Sequence, residues 1–228
     1  MPGQQDMVLV VCPHCGHRQR EPRGVVSTVC KKCRQHLRAE ELLKPARKTA
    51  GHVPELKRIT CFECGTELEV ALSAESTMCK RCSRYVDLKD YRIASAVSKN
   101  FKTKGAFVLE TKGYVFNTEA IVGDAILKGR FLGKLVAERS LTIYSTADIR
   151  GSFKTSRLII PAANHFRWNE PLDLGSAEIG GELVANVHAA STVVLKSTAR
   201  LFGDVEAGGL VVEAGAVIVG NVRVGQRN

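Results

Sequence analysis

The sequence contains no apolar run of about 18 residues and no basic, cleavable leader. A membrane-spanning helix needs about 20 consecutive apolar residues, and a secretory signal needs a basic flank and a small-residue cleavage site. The apolar stretch at residues 7–11 is too short for either. We therefore expect a cytoplasmic chain, with association to a membrane surface or the nucleoid left open.

Aromatic residues make up only 6% of the chain, and the dipeptides Asn-Gly and Asp-Gly are absent. These dipeptides are the strongest short signal for two-residue β-hairpin turns. Their absence argues against an antiparallel sandwich or barrel, whose strands also recur at intervals of about 8–12 residues. Such a fold remains the alternative to the solenoid predicted below.

Residues 191–224 contain a repeat of 17 residues, which organises the second half of the chain. The matched positions are Val193/Leu210, Leu195/Val212, Ala199/Ala216, Leu201/Ile218, Gly203/Gly220 and Val205/Val222. The same pattern occurs 52 residues before the first copy, at Leu141, Ile143, Ala147, Ile149, Gly151 and Phe153. Because the apolar residues alternate within each copy, each copy is expected to form strands.

Short strand-like repeats with glycine at the turns indicate a solenoid, whose coils stack about 4.8 Å apart and bury apolar ladders along the axis. The motif core, apolar-x-Gly-x-apolar, also occurs at 131–135, at 179–183 and more weakly at 121–125. Residues 161–174 interrupt the pattern and hold the only tryptophan. We predict that they form a loop bulging from one coil.

All eight cysteines precede residue 83 and form four Cys-x-x-Cys pairs. They are Cys12/Cys15, Cys30/Cys33, Cys61/Cys64 and Cys79/Cys82. The first four recur at an offset of 49, so a four-cysteine unit is duplicated. Four thiolates from two tight turns match a tetrahedral structural zinc site, with no position open for a catalytic water. We predict two zinc ribbons, each holding one structural Zn²⁺.

Two other interpretations of the cysteines fit the sequence less well. A disulfide framework suits secreted chains rather than a reducing cytoplasm. Thioredoxin-like redox chemistry needs one Cys-x-x-Cys pair, whereas this chain has four at matched spacing.

Charge is concentrated in the cysteine-rich half. Residues 1–104 contain 20 basic and 11 acidic side chains, and residues 105–228 contain 13 and 12. We call each Cys-x-x-Cys turn a knuckle. The basic residues beside the knuckles are the candidate polyanion-binding set: Lys31, Lys32, Arg34, Lys80, Arg81 and Arg84. Further basic residues lie between the units: Lys44, Arg47, Lys48, Lys57 and Arg58. Nucleic acid, an anionic membrane surface or an acidic protein would each fit this charge, and the cations also offset thiolate charge.

The predicted organisation is mostly β: a first zinc ribbon over residues 1–46, a second over 47–94, a linker over 95–104 and a parallel β-helix over 105–228. The C-terminal half resembles the bactofilins, bacterial polymer-forming cytoskeletal proteins, through residues 149–153, 183–185, 201–205 and 218–222. The resemblance implies a compact right-handed β-helix that assembles end to end into filaments without bound nucleotide. Two ribbons stand where many relatives carry a short tail.

An uncapped β-helix exposes backbone groups and an apolar cross-section at its ends, which favours contact with another copy. The expected polymer-end residues are Leu210, Val212, Ile218 and Val222. We predict a non-enzymatic scaffold that polymerises with itself, displays its ribbons to a partner and takes no small-molecule substrate. The alternative is a nucleic-acid-binding zinc-ribbon protein that uses the β-helix to oligomerise. An enzyme would need His165 or His188 beside a carboxylate in a pocket.

Overall fold

The computed structural model describes residues 7–38 and 55–225, and all regular elements in them are β-strands. The chain divides into two compact units, Met1–Pro54 and Glu55–Asn228. The second unit holds both the second cysteine module and the solenoid. The first module is a unit of its own.

The first ribbon, residues 7–38, consists of two antiparallel hairpins. Its strands are β1 (Met7–Val11), β2 (Arg18–Pro22), β3 (Ser27–Val29) and β4 (His36–Arg38). Buried Gln19 joins the two hairpins, because its amide donates to the Val29 carbonyl at 3.1 Å and accepts from the Lys31 amide at 2.9 Å. The apolar core is small and consists of Cys12, Cys30 and Leu37. A module this small depends on an added constraint such as a metal.

The second ribbon, residues 55–90, repeats this arrangement. Its strands are β5 (Leu56–Thr60), β6 (Glu67–Ala71), β7 (Ser76–Met78) and β8 (Tyr85–Asp87). It has a larger core than the first ribbon, with Ile59, Leu68, Val70, Val86 and Leu88 buried around the cysteines. The duplicated sequence thus gives a duplicated fold with different packing.

Residues 91–224 form a parallel β-solenoid of about eight turns. The first strands are β9 (Tyr91–Ile93), β10 (Ala96–Val97), β11 (Phe101–Lys102), β12 (Ala106–Leu109), β13 (Tyr114–Leu127), β14 (Arg130–Ile143) and β15 (Asp148–Ile160). The remaining strands are β16 (His165–Arg167), β17 (Leu172–Ile179), β18 (Glu182–Val184), β19 (Val187–Leu195), β20 (Arg200–Phe202), β21 (Val205–Val212), β22 (Val217–Val219) and β23 (Val222–Val224). The predicted parallel solenoid is confirmed, and the antiparallel alternative is wrong for this part of the chain.

The strand register confirms the sequence repeat. Val193 lies opposite Leu210, and Leu195 lies opposite Val212. One buried ladder runs through Phe107, Ala125, Leu141, Leu158, Ala177, Val193 and Leu210. The predicted offset of 52 residues from Leu141 to Val193 therefore spans three coils. All but the last residue of this ladder are almost completely buried.

Glycine is required in one column by close approach of the coils. Gly133 and Gly151 have φ values of +152° and +122°, and a Cβ atom at either position would overlap the carbonyl oxygen of the preceding coil. The motif copies predicted at 121–125 and 179–183 are out of register. Gly123 and Gly181 lie at other corners, and Ala185 takes the column position that Gly203 holds in the next coil. Glycine occurs at two different corners of the coil, so the sequence motif alone does not assign a glycine to the correct corner.

Residues 95–104, expected to be a linker, form part of the first coil. β10 and β11 pair in parallel with β13, and the Phe101 ring is buried in the core. The pattern missed this coil because it has no glycine in the repeat position. Lys99 and Lys102 of this segment are exposed, whereas Lys104 is buried.

Residues 161–174 do not bulge from the coil as predicted, since β16 within them is a rung of the four-stranded sheet β16-β18-β20-β22. The irregularity is an opening in the ladder: the first half of β15 pairs with β14 but not with β16. Aromatic rings fill the opening from inside, with the Trp168 ring centroid 4.9 Å from that of Phe153 and 5.9 Å from that of Phe166. The corner after Trp168 is longer than the equivalent corner of the next coil. Three residues separate Trp168 from Leu172, whereas one residue separates Ala185 from Val187.

Candidate metal centres and assembly surface

Each cysteine pair lies in a tight turn that follows a strand. After the first pair, the Gly16 amide donates to the Cys12 carbonyl at 2.9 Å, and the Gly65 amide donates to that of Cys61 at 3.1 Å. The residue after each second cysteine has a positive φ: Gly16 +68°, Arg34 +59°, Gly65 +67° and Ser83 +54°. This left-handed turn residue lets both thiols of a pair point to the same side.

The four thiols of each ribbon converge on one point. Within each group the sulfur atoms all lie within 4.8 Å of one another. The Sγ atoms of Cys12 and Cys33 are 3.7 Å apart, and those of Cys61 and Cys82 are 3.6 Å apart. A zinc ion bound to four sulfurs at about 2.3 Å would separate them by about 3.8 Å. The predicted ligands therefore fit a tetrahedral metal ion, and the separations are too long for disulfides.

Hydrogen bonding lowers the pKa of cysteine thiols in both ribbons. Backbone hydrogen bonding from Cys33 lowers the pKa of Cys30 to about 6. A side-chain hydrogen bond to Thr66 lowers the pKa of Cys64 to about 6. Since the thiolate is the form that binds metal, a lowered thiol pKa favours metal binding at both sites.

The second ribbon contacts the solenoid through Phe62 and Glu63, the two residues between the cysteines of its first knuckle. Lys104, with a side chain only 3% exposed, places its ammonium 4.0 Å from the Phe62 ring centroid and 2.5 Å from the Glu138 carboxylate. It also donates to Thr60 at 3.2 Å. Beside it, Lys102 pairs with Glu63 at 2.6 Å. Buried cations are stable only when paired in this way, so this contact fixes the second metal centre against the first coils.

Sequence reasoning did not identify Lys104 as a structural residue. It stands in a lysine-containing segment, and its main partner, Glu138, is 34 residues away. Nothing local in the sequence distinguishes it from a solvated lysine.

The six candidate polyanion-binding residues are all exposed beside the knuckles of their own ribbons. Among the described residues, Lys31, Lys32, Lys80 and Arg81 have no ion-pair partner. Arg58 is paired with Glu69 at 3.3 Å, whereas Lys44, Arg47 and Lys48 lie outside the described residues. A role for this set in binding stays a prediction.

The C-terminal end of the solenoid exposes its apolar cross-section. Val212 and Val222 face inward but are 48% and 42% exposed. The residues beneath them in the same columns, Leu195 and Val205, are 0% and 1% exposed. Ile218, also predicted at this end, is half-buried over Leu201. The last described coil therefore lacks the neighbour that every internal coil has.

The N-terminal end is covered instead. Lys99 lies over the rings of Tyr91 and Phe101, 5.3 Å and 4.9 Å from their centroids. The Tyr91 hydroxyl donates to Asp87 at 2.6 Å, and buried Thr103 donates to the Lys89 carbonyl at 2.8 Å. The two ends of the solenoid thus differ in chemistry, which the sequence did not indicate.

The histidines considered for catalysis lie on outward positions. His188 is 3.3 Å from Asp173 in an exposed pair, beside Glu206 in the next strand. Polar side chains that lie opposite one another across neighbouring strands are ordinary cross-strand pairs. His165 is exposed on β16.

No helix long and apolar enough to span a membrane occurs in residues 7–38 and 55–225.

The family model for bactofilins, described as polymer-forming cytoskeletal, matches residues 169–223. The match confirms the resemblance for residues 169–223, a segment that begins immediately after Trp168. Neither the curated proteins nor the solved structures contain a match to this chain.

Proposed function

We propose that this chain is a cytoskeletal scaffold protein that assembles end to end through its solenoid into filaments without nucleotide. The bactofilin domain supports the polymer-forming role. The end-to-end contact is supported by the exposure of Val212 and Val222, which face inward in the last described coil. The residues one coil below them in the same columns are buried. A second copy stacked on this end would continue both the apolar ladders and the backbone hydrogen bonding.

The two ends contribute unequally to this assembly. The open C-terminal end offers apolar area, whereas Lys99 must leave the Tyr91 and Phe101 rings before another coil stacks on the N-terminal end. Pairs joined through their C-terminal ends would therefore form first. Filaments then grow through the weaker N-terminal contacts, so that like ends meet like in isologous joints.

The ribbons complete the scaffold as structural modules, each holding one Zn²⁺. The all-thiolate donor set and the sulfur separations support a tetrahedral metal, and zinc is the metal that such sites usually hold. Bound zinc would stabilise the small ribbon cores, while the exposed lysines beside the knuckles attract a polyanionic or acidic partner.

Electron microscopy and analytical ultracentrifugation of the zinc-loaded full chain test the assembly. Filaments, or pairs at low concentration that lengthen as concentration rises, are expected. Monomers at every concentration would refute the proposed function.

The second candidate function is nucleic-acid binding by the ribbons, favoured by the unpaired state of Lys31, Lys32, Lys80 and Arg81 among the described residues. Gel shifts with the full chain and a variant in which these four are glutamate test it. Affinity that falls steeply with salt and is lost in the variant would support this function.

A further inference from the structure

Trp168 lies in a column of the solenoid where the other coils from β14 onward have glycine or alanine. Taken in coil order, the column consists of Gly133, Gly151, Trp168, Ala185, Gly203 and Gly220. A Cβ atom at Gly151 would lie only 2.0 Å from the Gly133 carbonyl oxygen. An indole at the next position of the column therefore prevents β16 from packing on β15 as β15 packs on β14.

The resulting opening leaves two strand edges without a partner. The coils are joined before it, where the Ser145 amide donates to the Asn164 side chain at 2.9 Å, and after it, where Thr155 pairs with Leu174. Between these points, residues 148–154 pair with β14 alone and β16 pairs with β18 alone, within the part of the chain that the structure describes. An unpaired edge of this kind can accept a further strand.

The opening also has room for inward side chains. A cavity of about 420 Å³ lies between β15 and β16, and one of about 820 Å³ adjoins it beyond Trp168. Ile149 and Phe153 are only partly buried here, whereas Phe131 and Leu135, their neighbours in the coil below, are completely buried. The core is therefore incomplete at this level, and apolar side chains of an added strand would complete it.

Positive charge flanks the opening on its outer surface. Arg150 and Arg167 each immediately precede the glycine column, so they occupy one outward column on opposite sides of the opening. Arg150 shares the Asp148 carboxylate with Arg130, at 3.4 Å and 3.9 Å, and Arg167 has no ion-pair partner in residues 7–38 and 55–225. Because like charges repel across neighbouring strands, an acidic side chain between the two arginines is favoured.

The neighbouring columns specify the other positions of an added strand. The positions beside Ile149 and Phe153 face inward and favour apolar residues, and the position beside Gly151 favours glycine, because it passes the close-approach column. The larger cavity is lined by charges of both signs, including Lys154 and Glu170, and therefore selects neither sign. The pattern that fits is apolar-acidic-Gly-x-apolar.

We propose that the opening beside Trp168 is a binding site for an extended segment of a partner protein with this pattern. The segment adds in parallel to the free edge of residues 148–154, places its apolar side chains on the aromatic rings and directs its carboxylate between Arg150 and Arg167. Strand addition supplies affinity through backbone hydrogen bonds and specificity through alternate side chains. This site lies on the side of the solenoid and does not depend on the end-to-end assembly proposed above.

Tryptophan fluorescence of the zinc-loaded full chain reports on this site alone, because Trp168 is the only tryptophan. The probe is a peptide of sequence Ser-Val-Glu-Gly-Ser-Val-Ser, and it should shift the emission to shorter wavelength in a saturable way. Two control peptides replace the glutamate with lysine or the central serine with proline. The first should bind about tenfold more weakly or worse, and the second should not bind, since proline removes a backbone donor.

Two variants test the two parts of the site. Arg150→Leu with Arg167→Val copies the adjacent residues of the same column, Leu132 and Val184, and should abolish the preference for glutamate over lysine. Arg200→Val, an exposed arginine on β20 matched to Val217 of its own column, should leave that preference unchanged. Trp168→Gly with deletion of Asn169 and Glu170 restores the corner of a closed coil and should abolish binding of the fluorescein-labelled peptide, measured by anisotropy.

The contrary results are distinct from failure of the assembly. An unchanged emission with the glutamate peptide, equal binding of the glutamate and lysine peptides, or full binding to the closed-corner variant would overturn the proposal. Circular dichroism of each variant verifies folding, and the arginine pair tests the site even if the closed-corner variant does not fold. Dissociation of filaments by the peptide would place a second copy in the opening and would also overturn the proposal. Monomers that still bind the peptide would contradict the scaffold role and leave this site intact.

Discussion

Two adjacent valines at the C-terminal end of the solenoid provide a sharp test of end-to-end assembly. Val211 and Val212 are almost equally exposed in one chain, at 50% and 48%. Only Val212 faces inward, above Leu195, whereas Val211 continues an outward column above Val194. Replacing either one with aspartate therefore has a similar effect on an isolated chain, and only the joint between chains distinguishes them.

The magnitude follows from burial at the joint. Complete burial of a valine side chain contributes about 1.5–3 kcal/mol, so covering the exposed half of Val212 contributes about 1 kcal/mol per chain. An aspartate in its place would also bury an unpaired carboxylate, and such charges cost about 3–5 kcal/mol. Val212→Asp should then raise the dissociation constant of the joint by at least about 10²-fold.

Sedimentation equilibrium of the two variants over a range of concentrations provides the measurement. Val212→Asp should remain monomeric at concentrations where Val211→Asp assembles like the wild type. Circular dichroism melting of each variant controls for folding of the single chain. Equal assembly of both variants would refute the reasoning, because it would place the joint elsewhere.

Three further outcomes follow from the structure. Cys61→Ser should release the turn that contacts Lys104 and increase hydrogen exchange at the first solenoid coils, whereas Cys12→Ser should leave those amides protected. Equal protection in both variants would show that the second cysteine site does not stabilise the solenoid. Lys104→Met keeps the packing but leaves its carboxylate partner half-buried and unpaired, so it should lower the free energy of unfolding by about 1–3 kcal/mol in urea titrations; unchanged stability would mean that the ion pair contributes nothing. Gly151→Ala forces a Cβ against a backbone carbonyl and should cost several kcal/mol or prevent folding, while Gly16→Ala, in open space, should cost only about 1 kcal/mol for its left-handed turn; similar melting temperatures would contradict this contrast.

The regular parts of the molecule could be predicted from sequence because they follow periodic rules. A 17-residue repeat specified which residues stack, as the pairing of Val205 with Val222 shows. The spacing of the cysteines similarly indicated which thiols share a site, since two tight turns are needed to surround one metal ion. Periodicity is visible along the chain even when the contacts are distant.

The features that the sequence did not indicate depend on single side chains without a period. Lys104 is buried because Phe62 and Glu138 meet around it from different elements, and no local signal brings them together. Residues 161–174 are predicted to form a bulging loop, because two extra residues at one corner look like a lost rung, whereas the structure has an opening beside Trp168. In each case tertiary packing determined the outcome.

The opening between β15 and β16 also divides the solenoid mechanically. In a stack of coils, stiffness against bending comes from hydrogen bonds and packing distributed around the whole circumference. At this level the second half of β15 still pairs with β17, but the first half bonds only to the coil before it. A filament of such subunits would therefore behave as a chain of stiff rods with one compliant point in each subunit, bending toward or away from the Trp168 side. Curvature would then be set within the subunit, and a filament could follow a curved surface without straining its joints.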